Sequence, residues 1–218
     1  EYRQSAGVWI RGILKSEYGV DFSGVSWVEG GVDTPRRPDN IMDLRPSGDL
    51  NIELIGPEQS ISDLLVTGEV DAYFGARAPR AFFDSDDVVR LFPDYRSEER
   101  RYFEQTGIYP IMHTMIMNEA FHRAHPWAAE SLYKAMSDAK NWVLEQIRFS
   151  GAQRYILPWM FADLDELDSV FSGDPYPYGL EPNRKTLETL MGFLVDQGFI
   201  NVPITVDELF TPIVGWEE

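Results

Sequence analysis

The sequence predicts an α/β protein built in two parts, and three observations carry that expectation. Through the first half, segments with helical periodicity alternate with short apolar runs bounded by Gly, Pro and Asp. Near residue 108 the pattern changes: one long β-like run follows, and after it the chain reads mostly as helix. The 218 residues are 44% hydrophobic and 13% aromatic, enough to bury a substantial core and far from a disordered composition.

The first predicted helix is capped by Ser5, carries Val8, Trp9, Ile13 and Leu14 on one face, and stops at Tyr18-Gly19. A short strand over Val25–Val28 ends in Gly30-Gly31. Residues 33–49, rich in Pro, Arg, Asp and Asn, read as a surface loop. A brief apolar run covers Ile52–Ile55. Ser60-Ile-Ser-Asp63 then opens a short helix with Leu64, Leu65 and Val66. Gly68-Glu69 leads to a buried strand expected at Val70–Phe74, which runs into Gly75-Ala-Arg-Ala-Pro79. A further helix lies near Tyr95–Gln105 and is broken by Thr106-Gly107.

Residues 108–117 (IYPIMHTMIM) are near-continuously apolar, which predicts a strand covered on both faces. Pro126 starts a long amphipathic helix with Trp127, Leu132, Ala135, Trp142, Val143 and Ile147. Another helix is expected over Tyr155–Phe171, then a Pro- and Tyr-dense loop at 174–183. Arg184–Gln197 is the last strong helix, stopping at Gly198, and Thr205–Glu208 opens a short terminal one. The domains expected are therefore 1–108 and 109–218.

Charge narrows the function. With 19 Lys+Arg against 36 Asp+Glu the net charge is −17, and neither half is basic, which argues against a nucleic-acid partner. There is no Cys, so disulfides, thiolate metal sites and cysteine nucleophiles are excluded. No stretch approaches the roughly 20 consecutive apolar residues that span a bilayer as a helix. The usual hydrolase, phosphate-loop, zinc-protease and dinucleotide signatures are absent from the sequence.

A few residues stand out. His113 sits inside an apolar run, where an ionisable ring is costly to bury without partners. It is either a hydrogen-bonded core imidazole or a ring facing a cleft, where imidazole serves as an acid or base near neutrality. Arg11 is either a surface group with its stem on apolar neighbours or, near a helix start, part of a carboxylate site. Arg77 follows the strand expected at 70–74, in the position where α/β proteins place ligands. Tyr176 and Tyr178 among prolines form an aromatic wall or pack their loop. His122 and His125 beside Pro126 suit a loop leading into a helix better than a metal, and Asp84, Asp86 and Asp87 read as a solvated charge run.

Taken together, SAGVWIRGILKSEYGV (5–20), GEVDAYFGARAP (68–79), LFPDY (91–95), TGIYPIMHT (106–114), HPWAAESLYKAMSDAK (125–140) and DPYPYGLEPNRKTLETL (174–190) resemble the 4,5-dihydroxyphthalate decarboxylase family, relatives of the type 2 periplasmic binding proteins. The resemblance is spread over nearly the whole chain. It implies two α/β lobes with a ligand cleft between them. Residues 1–108 would correspond to the second lobe, and 109–218 to a crossover strand and the helical C-terminal part of the first. The family's opening βα units have no counterpart, and the chain starts without Met, so a fragment or processed chain is expected.

The same resemblance implies the chemistry: decarboxylation of a hydroxylated aromatic dicarboxylate without a cofactor or metal. Ser5, Trp9 and Arg11 at the first helix, Arg77 in its loop and Tyr178 would contact the substrate. His113 would be the catalytic acid. The expected partner is a small aromatic carboxylate, in the cytoplasm, with a homo-oligomer left open. The competing expectation is a non-catalytic solute receptor for a small carboxylate, which would place the protein in the periplasm.

Overall fold

The computed structural model describes residues 1–35, 46–47, 50–149, 151, 155–211 and 213. Its packing divides the chain into two compact units, Glu1–Glu98 with Glu188–Thr205, and Glu99–Leu187 with Val206–Glu218. Two of the three divisions fall inside helices α4 (Tyr95–Thr106) and α8 (Arg184–Asp196), and the third lies just before Val206.

The first unit is organised by α1, Ser5–Tyr18. Its apolar spacing buries Val8, Trp9 and Leu14, and Gly19 stops it in the left-handed region at φ 65°, its N–H donating to the Lys15 carbonyl at 3.2 Å while the Val20 N–H donates to the Leu14 carbonyl at 3.1 Å. The cap at the other end is Gln4, not Ser5, and no side chain closes it. Gly12 lies so close to the Phe193 ring that a Cβ there would come within 2.2 Å of it. Trp9 meets the same ring edge-on at 5.7 Å.

Strands β1 (Trp27–Glu29) and β2 (Ile52–Leu54) form a parallel pair in the register Trp27–Ile52, Val28–Glu53, Glu29–Leu54. Chain leaving β1 then binds the start of α2, Ile61–Thr67, through Ile61 N–H to the Gly31 carbonyl (2.9 Å) and Ser62 N–H to the Val32 carbonyl (2.8 Å). Ser60 caps α2 by accepting from the Asp63 N–H at 3.2 Å, and Gly68 ends it at φ 74°. Of the loop read from the sequence at 33–49, residues 36–45 and 48–49 lie outside the described residues.

The strand expected at Val70–Phe74 does not form. The Val70 N–H turns back to the Leu64 carbonyl at 3.2 Å as part of the α2 stop, and residues 71–74 have no β partner among the described residues. Phe74 instead packs its ring against Trp27 (5.8 Å) and Phe22 (6.3 Å). Short helix α3, Ala81–Asp84, follows.

In the second unit the run at 108–117 is also irregular. Ile108 is buried, but Met115 and Ile116 are exposed. A strand covered on both faces needs neighbouring strands, and among the described residues this run pairs with none. Helix α5 (Glu119–Ala124) is capped by Asn118, whose side chain accepts from the Phe121 N–H at 3.1 Å. The long helix α6 covers Trp127–Arg148, and α7 covers Met160–Phe171, starting later than the expected Tyr155. Lys140 of α6 holds the Pro-Tyr loop through Asp174 (2.6 Å) and the Tyr176 carbonyl (3.0 Å). Within that loop Asn183 donates to the Pro177 and Gly179 carbonyls, before α8 begins; α9 is Val206–Leu209.

Candidate functional site

Two of the sequence-predicted contacts serve the core. Trp9 is 1% exposed and its ring packs against Phe193. Arg11 is 3% exposed; its Nε donates to Gln197 Oε1 at 2.8 Å and its Nη2 to the Tyr2 carbonyl at 2.7 Å, while the guanidinium lies 3.7 Å from the Tyr2 ring centroid. Burial lowers its pKa to about 10, against the opposing pull of Tyr2 and Glu29. Gln197 also donates to the Val8 carbonyl at 2.9 Å, so Arg11 ties α1, the N-terminal segment and the end of α8 together. Trp9 and Arg11, expected from the sequence to contact a substrate, thus have packing and hydrogen-bond partners within their own unit. Ser5, at the first position of α1, is exposed.

The ionic cluster of this unit is centred instead on Asp33. Its carboxylate accepts from the Arg80 backbone N–H (2.7 Å), Ser62 Oγ (2.8 Å) and Arg77 Nη2 (3.1 Å). These donors, Arg80 N–H foremost and then Ser62, hold its pKa below the usual carboxylate range. Arg80 reaches Asp63 at 3.3 Å. Arg77 is largely exposed, in the loop after the segment where the expected strand does not form, and its ionic partner is Asp33. Tyr73, half-buried in the preceding segment, is within electrostatic reach of both; burial raises its phenol pKa, Asp33 adds to the rise and Arg77 opposes it. Neither Asp33 nor Tyr73 stands out in the sequence. Asp33 is one acid in a polar loop whose partners lie 29, 44 and 47 residues away.

In the second unit His113 is exposed, not enclosed by its apolar neighbours. Tyr178, 38% exposed, lies under the Lys140 ammonium at 4.2 Å. Nearby, the Tyr109 and Tyr176 hydroxyls are 3.2 Å apart, and the Tyr109 ring meets Phe171 edge-on at 5.3 Å. Burial, and then the bond to Tyr176, push the Tyr109 phenol up to about 12. His125 lies between Phe121 (4.9 Å) and Trp127 (6.2 Å). Among the described residues no group of three His, Asp or Glu is arranged to hold a metal ion, and no helix is long and apolar enough to cross a membrane.

No family model matches the chain. Two curated proteins do. One is "4,5-dihydroxyphthalate decarboxylase" of Comamonas testosteroni, 31% identical over 215 residues, covering 97% of this chain and 64% of that protein. The other is "4,5-dihydroxyphthalate decarboxylase" of Pseudomonas putida, 37% identical over 82 residues, covering 38% of this chain and 31% of that protein. The chain thus spans less than two thirds of the length of these relatives. With the first similarity running almost from end to end of the present sequence, the chain belongs to the 4,5-dihydroxyphthalate decarboxylase family.

Proposed function

We propose that the protein decarboxylates a hydroxylated aromatic dicarboxylate of the 4,5-dihydroxyphthalate type, without a cofactor, in a cleft between two lobes of a type 2 periplasmic-binding-protein-like fold. The observation that supports the reading is the 31% identity to the Comamonas decarboxylase over 97% of this chain. Arg77, an exposed guanidinium in an open loop, is chemically suited to hold the carboxylate that is retained.

The substrate's own structure supplies the driving chemistry. A hydroxyl para to the departing carboxylate donates electron density to the carbon that bears it. An acid, for which His113 is the candidate, delivers a proton to that carbon, and the C–C bond to the carboxylate then breaks. The bonding pair returns to the ring, aromaticity is restored, and CO2 leaves. One proton is taken up at carbon for each CO2 released, and His113 is recharged from solvent, to which it is exposed.

The test is incubation of the full chain with 4,5-dihydroxyphthalate, following CO2 and 3,4-dihydroxybenzoate by ultraviolet absorption. Equal amounts of both are expected, and turnover should survive exhaustive treatment with a chelator. Tight binding without turnover would make the protein a solute receptor. Activity lost to chelation and restored by a divalent ion would overturn the cofactor-free step.

A further inference from the structure

The second unit holds two phenols in a geometry that the chemistry above does not use. The hydroxyl oxygens of Tyr109 and Tyr176 are 3.2 Å apart, so one donates to the other, and the ring centroids are 5.3 Å apart with the planes at 78°. Both partners are held in place. The Tyr109 ring lies edge-on to Phe171 at 5.3 Å, and Phe171 in turn packs on Phe103 at 4.5 Å. Tyr176 is fixed through its backbone: its N–H donates to Asp174 Oδ1 at 2.9 Å, and its carbonyl accepts from Lys140 Nζ at 3.0 Å. Neither ring is sealed, since Tyr109 is 37% and Tyr176 59% exposed.

We propose that Tyr109 and Tyr176 form an oxidative modification site, at which a peroxide, acting through one-electron steps, joins the two rings as a dityrosine. The inference does not depend on the decarboxylase reading. The oxidant takes one electron from each phenol, and each O–H proton leaves to water, to which both rings are open. Each phenoxyl radical shares its unpaired electron between the oxygen and the ring carbons beside it. A C–C bond forms between one such carbon of each ring, and the hydrogen on each bonded carbon then moves to that ring's oxygen, restoring both phenols. Two electrons and two protons are lost in all, and they convert one hydrogen peroxide to two waters. Proximity makes the coupling unimolecular, so it outruns encounters between chains in dilute solution. The exposed Tyr176 side chain supplies the rotation that brings the two carbons together. No thiol competes for the oxidant, because the chain has no Cys. The new bond would tie residues 67 apart in sequence, fastening the Pro-Tyr loop to the segment that follows α4.

The experiment treats the full chain, in dilute solution, with a haem peroxidase and one equivalent of hydrogen peroxide. Products are read by denaturing gel, dityrosine fluorescence and peptide mass spectrometry. The expected product is fluorescent, migrates as a single chain, and yields a joined peptide pair that links Tyr109 to Tyr176 and is two hydrogens lighter than its parts. Tyr176→Phe and Tyr109→Phe should each lose that product, because phenylalanine has no phenol to oxidise. Tyr178→Phe, two residues further along the same loop, should keep it. Dityrosine found only between chains, or linking Tyr109 to Tyr178, would overturn the inference. So would single-chain fluorescence that persists undiminished in Tyr176→Phe, or consumption of tyrosine in wild type without the 109–176 peptide pair. Should either Phe variant fail to fold, the wild-type peptide map alone decides.

Discussion

Helices α1 and α6 have the same kind of sequence and different surroundings. Both show apolar residues at helical spacing. Helix α1 buries Val8, Trp9 and Leu14, and even takes a guanidinium into its packed face. The longer α6 has no buried residue, and Trp127, Trp142 and Val143 on it are exposed. Periodicity therefore specifies an apolar face, while burial depends on what else the chain brings to that face. The lesson extends to chemistry. Arg11 and Asp33 in the first unit and Lys140 in the second are held by named partners, whereas His113 stands open to solvent.

The sharpest way to break this contrast is through activity. His113→Gln should lower kcat by about 10²–10⁴, the usual value of a positioned acid, with much less change in ligand affinity. Arg77→Ala should act mainly on binding. Steady-state kinetics beside phthalate titration checks both, and equal losses of kcat and affinity in His113→Gln would turn that residue into a binding group.

The next effect is on stability. Trp9→Ala should cost about 3–5 kcal/mol in urea unfolding, because it empties the packing against Phe193. Trp142→Ala, at 59% exposure, should stay within about 1 kcal/mol of wild type. Similar costs for the two would erase the distinction between the helices.

Two glycines sharpen it further. Gly12→Ala drives a methyl into the Phe193 ring and should destabilise by about 1–3 kcal/mol. Gly192→Ala in α8 meets nothing within 4 Å and should stabilise by roughly 0.5–1 kcal/mol, the gain in helix propensity. Thermal unfolding distinguishes the two signs.

The smallest effect belongs to Tyr109. Its phenol is pushed up to about 12 in the fold against an ordinary value near 10, so the folded state holds this proton more tightly than the unfolded chain. Its contribution to stability is present below pH 10 and is lost as pH rises towards 12. Tyr109→Phe should flatten the alkaline limb of the stability profile; an unchanged limb would remove Tyr109 as its source.

What the sequence made legible is what is encoded locally. Gly19 and Gly68 as stops, Ser60 as the cap of α2 and the spacing of α6 are each written within a turn or two of helix, and each stands in the structure. The strands at 70–74 and 108–117 are not local objects: an apolar run becomes a strand only beside a pairing strand, and neither run pairs with one among the described residues. Arg11 was visible as a charged residue in an apolar helix, but its burial depends on Tyr2, nine residues away, and Gln197, 186 away. Arg77 was legible as a loop guanidinium. Its setting beside Asp33 and Tyr73 depends on a hydrogen-bond hub joining three distant segments, for which a linear reading has no signal.

The most direct measurement of the chemistry is isotopic. When the full chain converts 4,5-dihydroxyphthalate in D2O, the account predicts 3,4-dihydroxybenzoate with one deuterium at the ring carbon that lost CO2, and one CO2 per product. Substrate recovered intact, or product carrying no deuterium at that carbon, would contradict it.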